Sequence, residues 1–260
     1  MKKLVALMMS LIMLGCLAGC SGDKTNGGND AQQGNAVGGE KETLIMATNA
    51  EFPPYEYHEG DQIVGIDAEI AAGIAEKLGM ELEISDMGFD SILLAVQSGQ
   101  ADIGVAGMTI TPERLENCNF SIPYATARQV VIVAEDGEIA SLDDLAGKTI
   151  GVQTNTTGDI YATDEYGDEA MKRYNRGAEA VVALNQGMID AVIIDLEPAK
   201  SFVANNEGLV ILDTEYATEE YAIALAKENT ELLEQINTAL QEMIDDGTVQ
   251  AIVDKYISAE

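Results

Sequence analysis

Three observations predict an α/β fold: short apolar strand patterns alternate with amphipathic helical ones, the links between them are short, and one helix-to-strand step occurs twice. That step is Ala95-Val96-Gln97-Ser98-Gly99-Gln100-Ala101-Asp102-Ile103 and again Ala183-Leu184-Asn185-Gln186-Gly187-Met188-Ile189-Asp190-Ala191, which supports two lobes of similar build around mostly parallel sheets. With 260 residues, 47% of them hydrophobic, the chain can bury one or two cores.

Met1-Lys2-Lys3 is a basic start, residues 4–14 are an almost unbroken apolar run, and Leu17-Ala18-Gly19-Cys20 ends it with small residues before a cysteine. The segment is too short to span a membrane and reads as a secretion signal over residues 1–19. Its last four residues resemble the lipobox of bacterial lipoproteins, which implies lipidation at Cys20. From there to residue 42 the composition, rich in Gly, Asn, Gln and Asp, is that of a flexible tether.

Residues 43–48 read as a strand, followed by an aromatic loop stiffened by Pro53 and Pro54. Ile66, Ile70, Ile74 and Leu78 recur at helical spacing until Gly79 stops the helix. A strand at 82–84, a helix carrying Ile92, Leu93 and Val96, and a strand at 103–106 follow. Next comes Gly107-Met108-Thr109-Ile110-Thr111-Pro112-Glu113-Arg114, where Thr111 suits an N-cap and Pro112 the first helical position. Arg114 then sits in a first turn, where the helix dipole disfavours a cation. A glycine, a hydroxyl, free backbone N–H groups and a guanidinium thus meet at a strand end, a corner suited to a small carboxylate.

Beyond it, 129–134 is an apolar strand, 142–145 a short helix and 149–152 a strand, and Thr156-Thr157-Gly158 opens a helix. The repeated step supplies a helix at 181–187 and a strand at 191–194; a further strand is predicted at 220–225. Leu232, Ile236, Leu240 and Met243 line a long helix ended near Gly247, and Val249, Ile252 and Tyr256 a last one.

With 45 acidic against 14 basic residues, the formal charge of −31 argues against binding nucleic acid or anionic lipid through charge. Cys16, Cys20, Cys118 and the single His58 have no spacing of a zinc site, a nucleophile pair or a redox motif, so no metal or cofactor is expected. His58 reads as a solvated loop residue and Cys118 as a buried, inert thiol.

Six stretches in order, residues 49–57, 65–70, 88–90, 107–114, 153–158 and 190–195, make the chain from Thr43 onward resemble the extracytoplasmic amino-acid-binding proteins of ABC transporters. The resemblance implies a two-lobed periplasmic-binding-protein-like fold with a ligand cleft between lobes. Lobe one would comprise 43–123 plus 223–260 and lobe two 129–217, with hinge crossovers at 124–128 and 218–222.

It also implies site roles. Arg114 would clamp the ligand carboxylate, together with the backbone N–H of Thr157. Asp195 would take the ammonium, helped by the Thr109 hydroxyl and the Gly107 carbonyl. Phe52 and Phe89 would sandwich the side chain, with Asn49, Glu51 and Gln153 towards its far end. Each has a plainer alternative: Asp195 and Thr157 as helix-capping residues, the two phenylalanines as core. Asn49 stands where several family members are acidic, but Glu51 or the overall negative charge can replace that partner, so Lys, Arg and His stay open; Gln153 favours a neutral hydrogen-bonding side chain, and a polar amino acid is the expected ligand.

The expected partners are that amino acid, a membrane permease with its ATPase, and the membrane itself through the lipid, with the protein a monomer at the outer face of the bacterial cytoplasmic membrane. Two other readings are an enzyme resembling the dehydratases built on this scaffold, for which Glu51 and Asp195 are the available acid–base groups, and a partner-coupled sensor.

Overall fold

The computed structural model describes residues 42–214 and 216–257. The predicted signal, Cys20 and the tether up to residue 41 lie outside the described residues.

Strand β1 (Thr43–Thr48) buries Leu44, Met46 and Ala47. Where the sequence predicts a loop, β2 (Glu51–Phe52), β3 (Glu56–Glu59) and β4 (Gln62–Val64) form a small antiparallel sheet. His58 is therefore a strand residue rather than a loop one, and its Nε2 lies 3.0 Å from Asp86 Oδ2. Helix α1 (Ile66–Leu78) turns Ile66, Ile70 and Ile74 inward and stops at Gly79, whose φ of 73° costs glycine nothing. At its other end Gly65 has φ 126°, and a Cβ there would stand 2.2 Å from the Tyr55 carbonyl oxygen. The hairpin and the helix start can meet that closely only through glycine.

The first sheet continues with β5 (Glu81–Asp86), α2 (Phe89–Gln97), β6 (Ile103–Gly104), α3 (Pro112–Asn117) and β7 (Cys118–Phe120). Strand β8 (Ala125–Ala134) then carries the chain to a second sheet. After a 3₁₀ turn at Leu142–Leu145 come β9 (Ile150–Gln153), α4 (Thr157–Tyr166), β10 (Met171–Tyr174), α5 (Gly177–Asn185), β11 (Ala191–Asp195), α6 (Leu196–Ala204) and β12 (Leu209–Ile211). Strand β13 (Ala217–Tyr221) returns the chain to β14 (Ala224–Ala226), α7 (Thr230–Asp245) and α8 (Thr248–Tyr256).

Each of the two large sheets is mixed rather than mostly parallel. In the first, ordered β5-β1-β6-β14-β7, β1 runs parallel to β5 and β6 while β14 is antiparallel to β6 and β7. In the second, ordered β10-β9-β11-β8-β12, the parallel β9 lies between β10 and β11, and β8 opposes β11 and β12. The antiparallel members are β14, which brings the chain back into the first sheet, and β8, which carries it to the second; β13 opposes β8 and so runs with β11.

The single strand predicted at 220–225 is two strands in two sheets, because Ala222 and Ile223 pass between them. β13 pairs antiparallel with β8 from Ala217↔Gln129 to Tyr221↔Ala125, so the two crossings lie side by side.

Lobe one is packed by α1, α7 and α8 over Ile70, Ile74, Ile236, Leu240 and Met243 on one face of its sheet, and by α2 over Ile92 and Val96 on the other. Lobe two has the same layers: Val181, Leu184 and Ile194 on one face, Val131, Ile150, Val152 and Ile193 on the other. Burying each such aliphatic side chain is worth about 1.5–3 kcal/mol, so each lobe has a core of its own. Cys118 is fully buried on β7, and burial raises its thiol pKa, as an inert thiol requires. Among the described residues no helix is long and apolar enough to cross a membrane.

Candidate functional site

All nine residues nominated from the sequence, Asn49, Phe52, Phe89, Gly107, Thr109, Arg114, Gln153, Thr157 and Asp195, line one narrow cavity between the lobes. Most sit where strands end. Asn49 follows β1, Gly107 and Thr109 follow β6, Gln153 and Asp195 are the last residues of β9 and β11, and Phe89 and Thr157 open α2 and α4. The carboxyl ends of parallel strands are where an α/β sheet leaves a crevice.

The corner around Arg114 forms as its residues dictate. The Thr111 hydroxyl accepts a hydrogen bond from the Arg114 backbone N–H at 3.2 Å, with Pro112 first in the helix. The guanidinium is 7% exposed, lies 5.5 Å from the centre of the Phe89 ring, and donates through Nη1 to the Thr109 carbonyl at 2.8 Å. Through Nη2 it reaches the Asn155 carbonyl in lobe two at 3.0 Å. Asn155 holds φ 63°, a left-handed geometry that asparagine tolerates better than most residues. Burial pulls the guanidinium pKa down, and Glu219 and Asp195 act in the opposite sense.

Across the cleft, Asp195 begins α6 but makes no side-chain capping bond, so its carboxylate is free of the capping role. Its Oδ2 accepts from Gln129 Nε2 at 2.8 Å and its Oδ1 from the Tyr221 hydroxyl. Burial, then the nearby Glu219, push its pKa up to about 7. Thr157 is the first residue of α4, its backbone N–H among the unpaired donors of that helix start; capping falls to Thr156, whose hydroxyl accepts from Asp159 N at 3.3 Å. Gly107 donates its N–H to Asp67 Oδ2 at 2.7 Å, and burial raises Asp67 to about 6.

At the far end, Gln153 Nε2 donates to Asn49 Oδ1 at 2.9 Å across the lobes and to the Asn175 carbonyl at 3.2 Å, while Asn49 Nδ2 donates to the Met87 carbonyl at 3.0 Å. These two amides are spent largely on each other and on backbone. Glu51 is not part of the lining; it pairs with Arg176 of lobe two at 2.9 Å.

The sequence reading missed four groups. Glu56 lines the cavity at 1% exposure beside the Asp67 carboxyl, and burial followed by the Asp67 carboxylate raises its pKa well above the usual range. Gln129, Glu219 and Tyr221 stand on the crossing strands beside Asp195. Their signal was present in β13: Ala217, Glu219 and Tyr221 alternate on one face of a strand, which puts a carboxyl among inward-facing positions.

Two α/β lobes joined by paired crossing strands, with opposed charges facing each other over an internal cleft, define a solute-binding protein. A sequence profile of the bacterial extracellular solute-binding proteins, family 3, matches residues 44–259, and the chain belongs to that family. The arginine-binding extracellular protein ArtP of Bacillus subtilis (strain 168) is 36% identical over 266 residues, covering 100% of both chains. The solved arginine-, lysine-, histidine-binding protein ArtJ of the thermophile Geobacillus stearothermophilus is 33% identical, with a TM-score of 0.80 over 84% of this chain and 96% of its own. An ancestral arginine-binding protein bound to glutamine is 39% identical, with a TM-score of 0.80 over 84% of this chain and 99% of its own. The family is one of solute-binding proteins.

Proposed function

We propose that the protein captures an amino acid in this cleft, closes on it, and delivers it to the permease of an ABC importer. The observation that carries the reading is the placement of Arg114 and Asp195, a buried cation and a buried carboxyl that line one cavity from opposite lobes. A zwitterion completes both contacts only when the lobes meet, so binding and closure stabilise each other. The crossing strands at 124–128 and 218–222 serve as the hinge.

For the side chain we favour a cation, with L-arginine as the type ligand. Glu56, Asp67, Asp195 and Glu219 are four carboxyls buried about one buried guanidinium, and a cationic side chain among them would favour their ionised form. The names of ArtP and ArtJ agree with a cationic ligand. A neutral amide such as glutamine is the second reading, favoured by the Asn49–Gln153 pair and by the glutamine-bound ancestral relative.

The test is a thermal-shift screen of the amino acids followed by calorimetry. A shift with arginine or lysine larger than with glutamine supports the cationic reading, the reverse order supports the second, and no shift with any amino acid rejects both. Recovery of the ligand unchanged after incubation excludes a dehydratase-type reaction. The reading includes export under the predicted signal and a lipid on Cys20 that holds a monomeric receptor at the outer face of the cytoplasmic membrane. Mass spectrometry of the mature N-terminus checks the lipid.

A further inference from the structure

We propose that Glu219, on crossing strand β13, is a positioning residue for recognition of the ligand ammonium, acting through the Thr109 hydroxyl and beside Asp195. The inference rests on the amino-acid-binding reading and deepens it.

Three contacts carry it. The Thr109 hydroxyl donates to Glu219 Oε2 at 3.1 Å. Gln129 Nε2 donates to the same oxygen at 3.1 Å and to Asp195 Oδ2 at 2.8 Å. Glu219 is 4% exposed.

A hydroxyl has one hydrogen and two lone pairs. With the Thr109 hydrogen committed to Glu219, only lone pairs remain to face the cavity that Thr109 lines. The hydroxyl is thereby fixed as an acceptor, which suits an ammonium and disfavours a ligand group that must itself accept. The shared Gln129 amide draws the Glu219 and Asp195 carboxyls together, so two acidic groups rather than one define the ammonium corner. Glu219 also belongs to a strand that runs between the lobes, so the group that orients the acceptor is built into the crossing itself.

The experiment compares calorimetric affinities of the full chain for L-arginine and for des-amino arginine, which lacks only the ammonium. If the wild type prefers L-glutamine, the same pair is made with glutamine. Wild-type protein that binds no amino acid rejects the function, separately from this inference. In Glu219→Gln, whose amide oxygen still accepts from Thr109 but carries no charge, the amino acid is expected to weaken by about fivefold to tenfold, the gap between a charged and a neutral hydrogen-bond partner, while the des-amino ligand changes by less than about threefold. In a Thr109→Val background the same substitution is expected to have a much smaller effect. If Glu219→Gln does not fold, Thr109→Val alone is read, with selective loss of the amino acid expected. Equal weakening of both ligands, or an unchanged affinity for the amino acid, overturns the proposal.

Discussion

The Arg114 guanidinium donates to two backbone carbonyls that belong to different lobes, Thr109 at 2.8 Å and Asn155 at 3.0 Å. A fork occupied in this way already stands where a carboxylate would be clamped, so an incoming anion exchanges neutral acceptors for a charged one. Arg114→Ala is expected to cost about 2–5 kcal/mol of ligand affinity, as for truncating one member of a buried charge pair. Arg114→Lys keeps the charge but loses the planar fork, and is expected to fall between the two. Calorimetry that finds unchanged affinity in Arg114→Ala removes the residue from the site.

The Glu51–Arg176 pair also joins the lobes, at 2.9 Å, but Arg176 is more than half exposed. Pairs in such a setting are worth about 1 kcal/mol or less. Glu51→Gln is therefore expected to speed ligand release only a few-fold in stopped-flow measurements, and raised salt is expected to do the same to the wild type. The double swap Glu51→Arg with Arg176→Glu should restore the slower rate. A change of more than about a hundredfold would mean that the pair is doing something other than bridging.

Asp195 and Asp67, raised from 3.8 to about 7 and about 6, give the empty protein a definite pH response. A carboxyl that holds its proton more tightly folded than unfolded favours the folded state on acidification. The penalty for ionising both groups is fully present above about pH 7 and fades as pH falls towards the ordinary aspartate value. The melting temperature of the ligand-free protein is expected to rise between about pH 8 and pH 5. Asp195→Asn should flatten that slope, and bound ligand should flatten it too, because the ammonium then balances the carboxylate. A slope unaltered by Asp195→Asn refutes the assignment.

Gly79 and Gly65 both have positive φ, but only one is crowded. A Cβ at Gly79 meets nothing within 4 Å, whereas one at Gly65 meets the Tyr55 carbonyl oxygen at 2.2 Å. Gly79→Ala is expected to cost about 1–2 kcal/mol from left-handed strain alone. Gly65→Ala adds a backbone collision and is expected to cost more than about 3 kcal/mol in urea unfolding. Equal costs would show that the hairpin gives way freely.

Much of this was legible in the residues. The α1 stripe of Ile66, Ile70 and Ile74 with Gly79 behind it, and the Thr111-Pro112 helix start, are local signals, and local signals do not depend on the partner surface. The run 220–225 reads as one strand because a continuous apolar run marks a strand without saying which sheet it joins, and this run feeds two. Short strands such as β10 and β12 carry too few residues for a pattern. Gln129 and Glu219 went unnoticed because a polar residue within a strand signals function only once its neighbours across the sheet are known.

The pairing of Ala125 with Tyr221 has a further consequence. The chain leaves the first sheet and re-enters it at adjacent strands, so everything between is a cassette whose two ends sit one strand spacing apart. Such a cassette can be exchanged between relatives by two splices, and the hybrid inherits Arg114, Thr109 and Phe89 from one parent and Thr157, Gln153 and Asp195 from the other. On the proposed reading, ligand preference in this architecture is therefore heritable in halves.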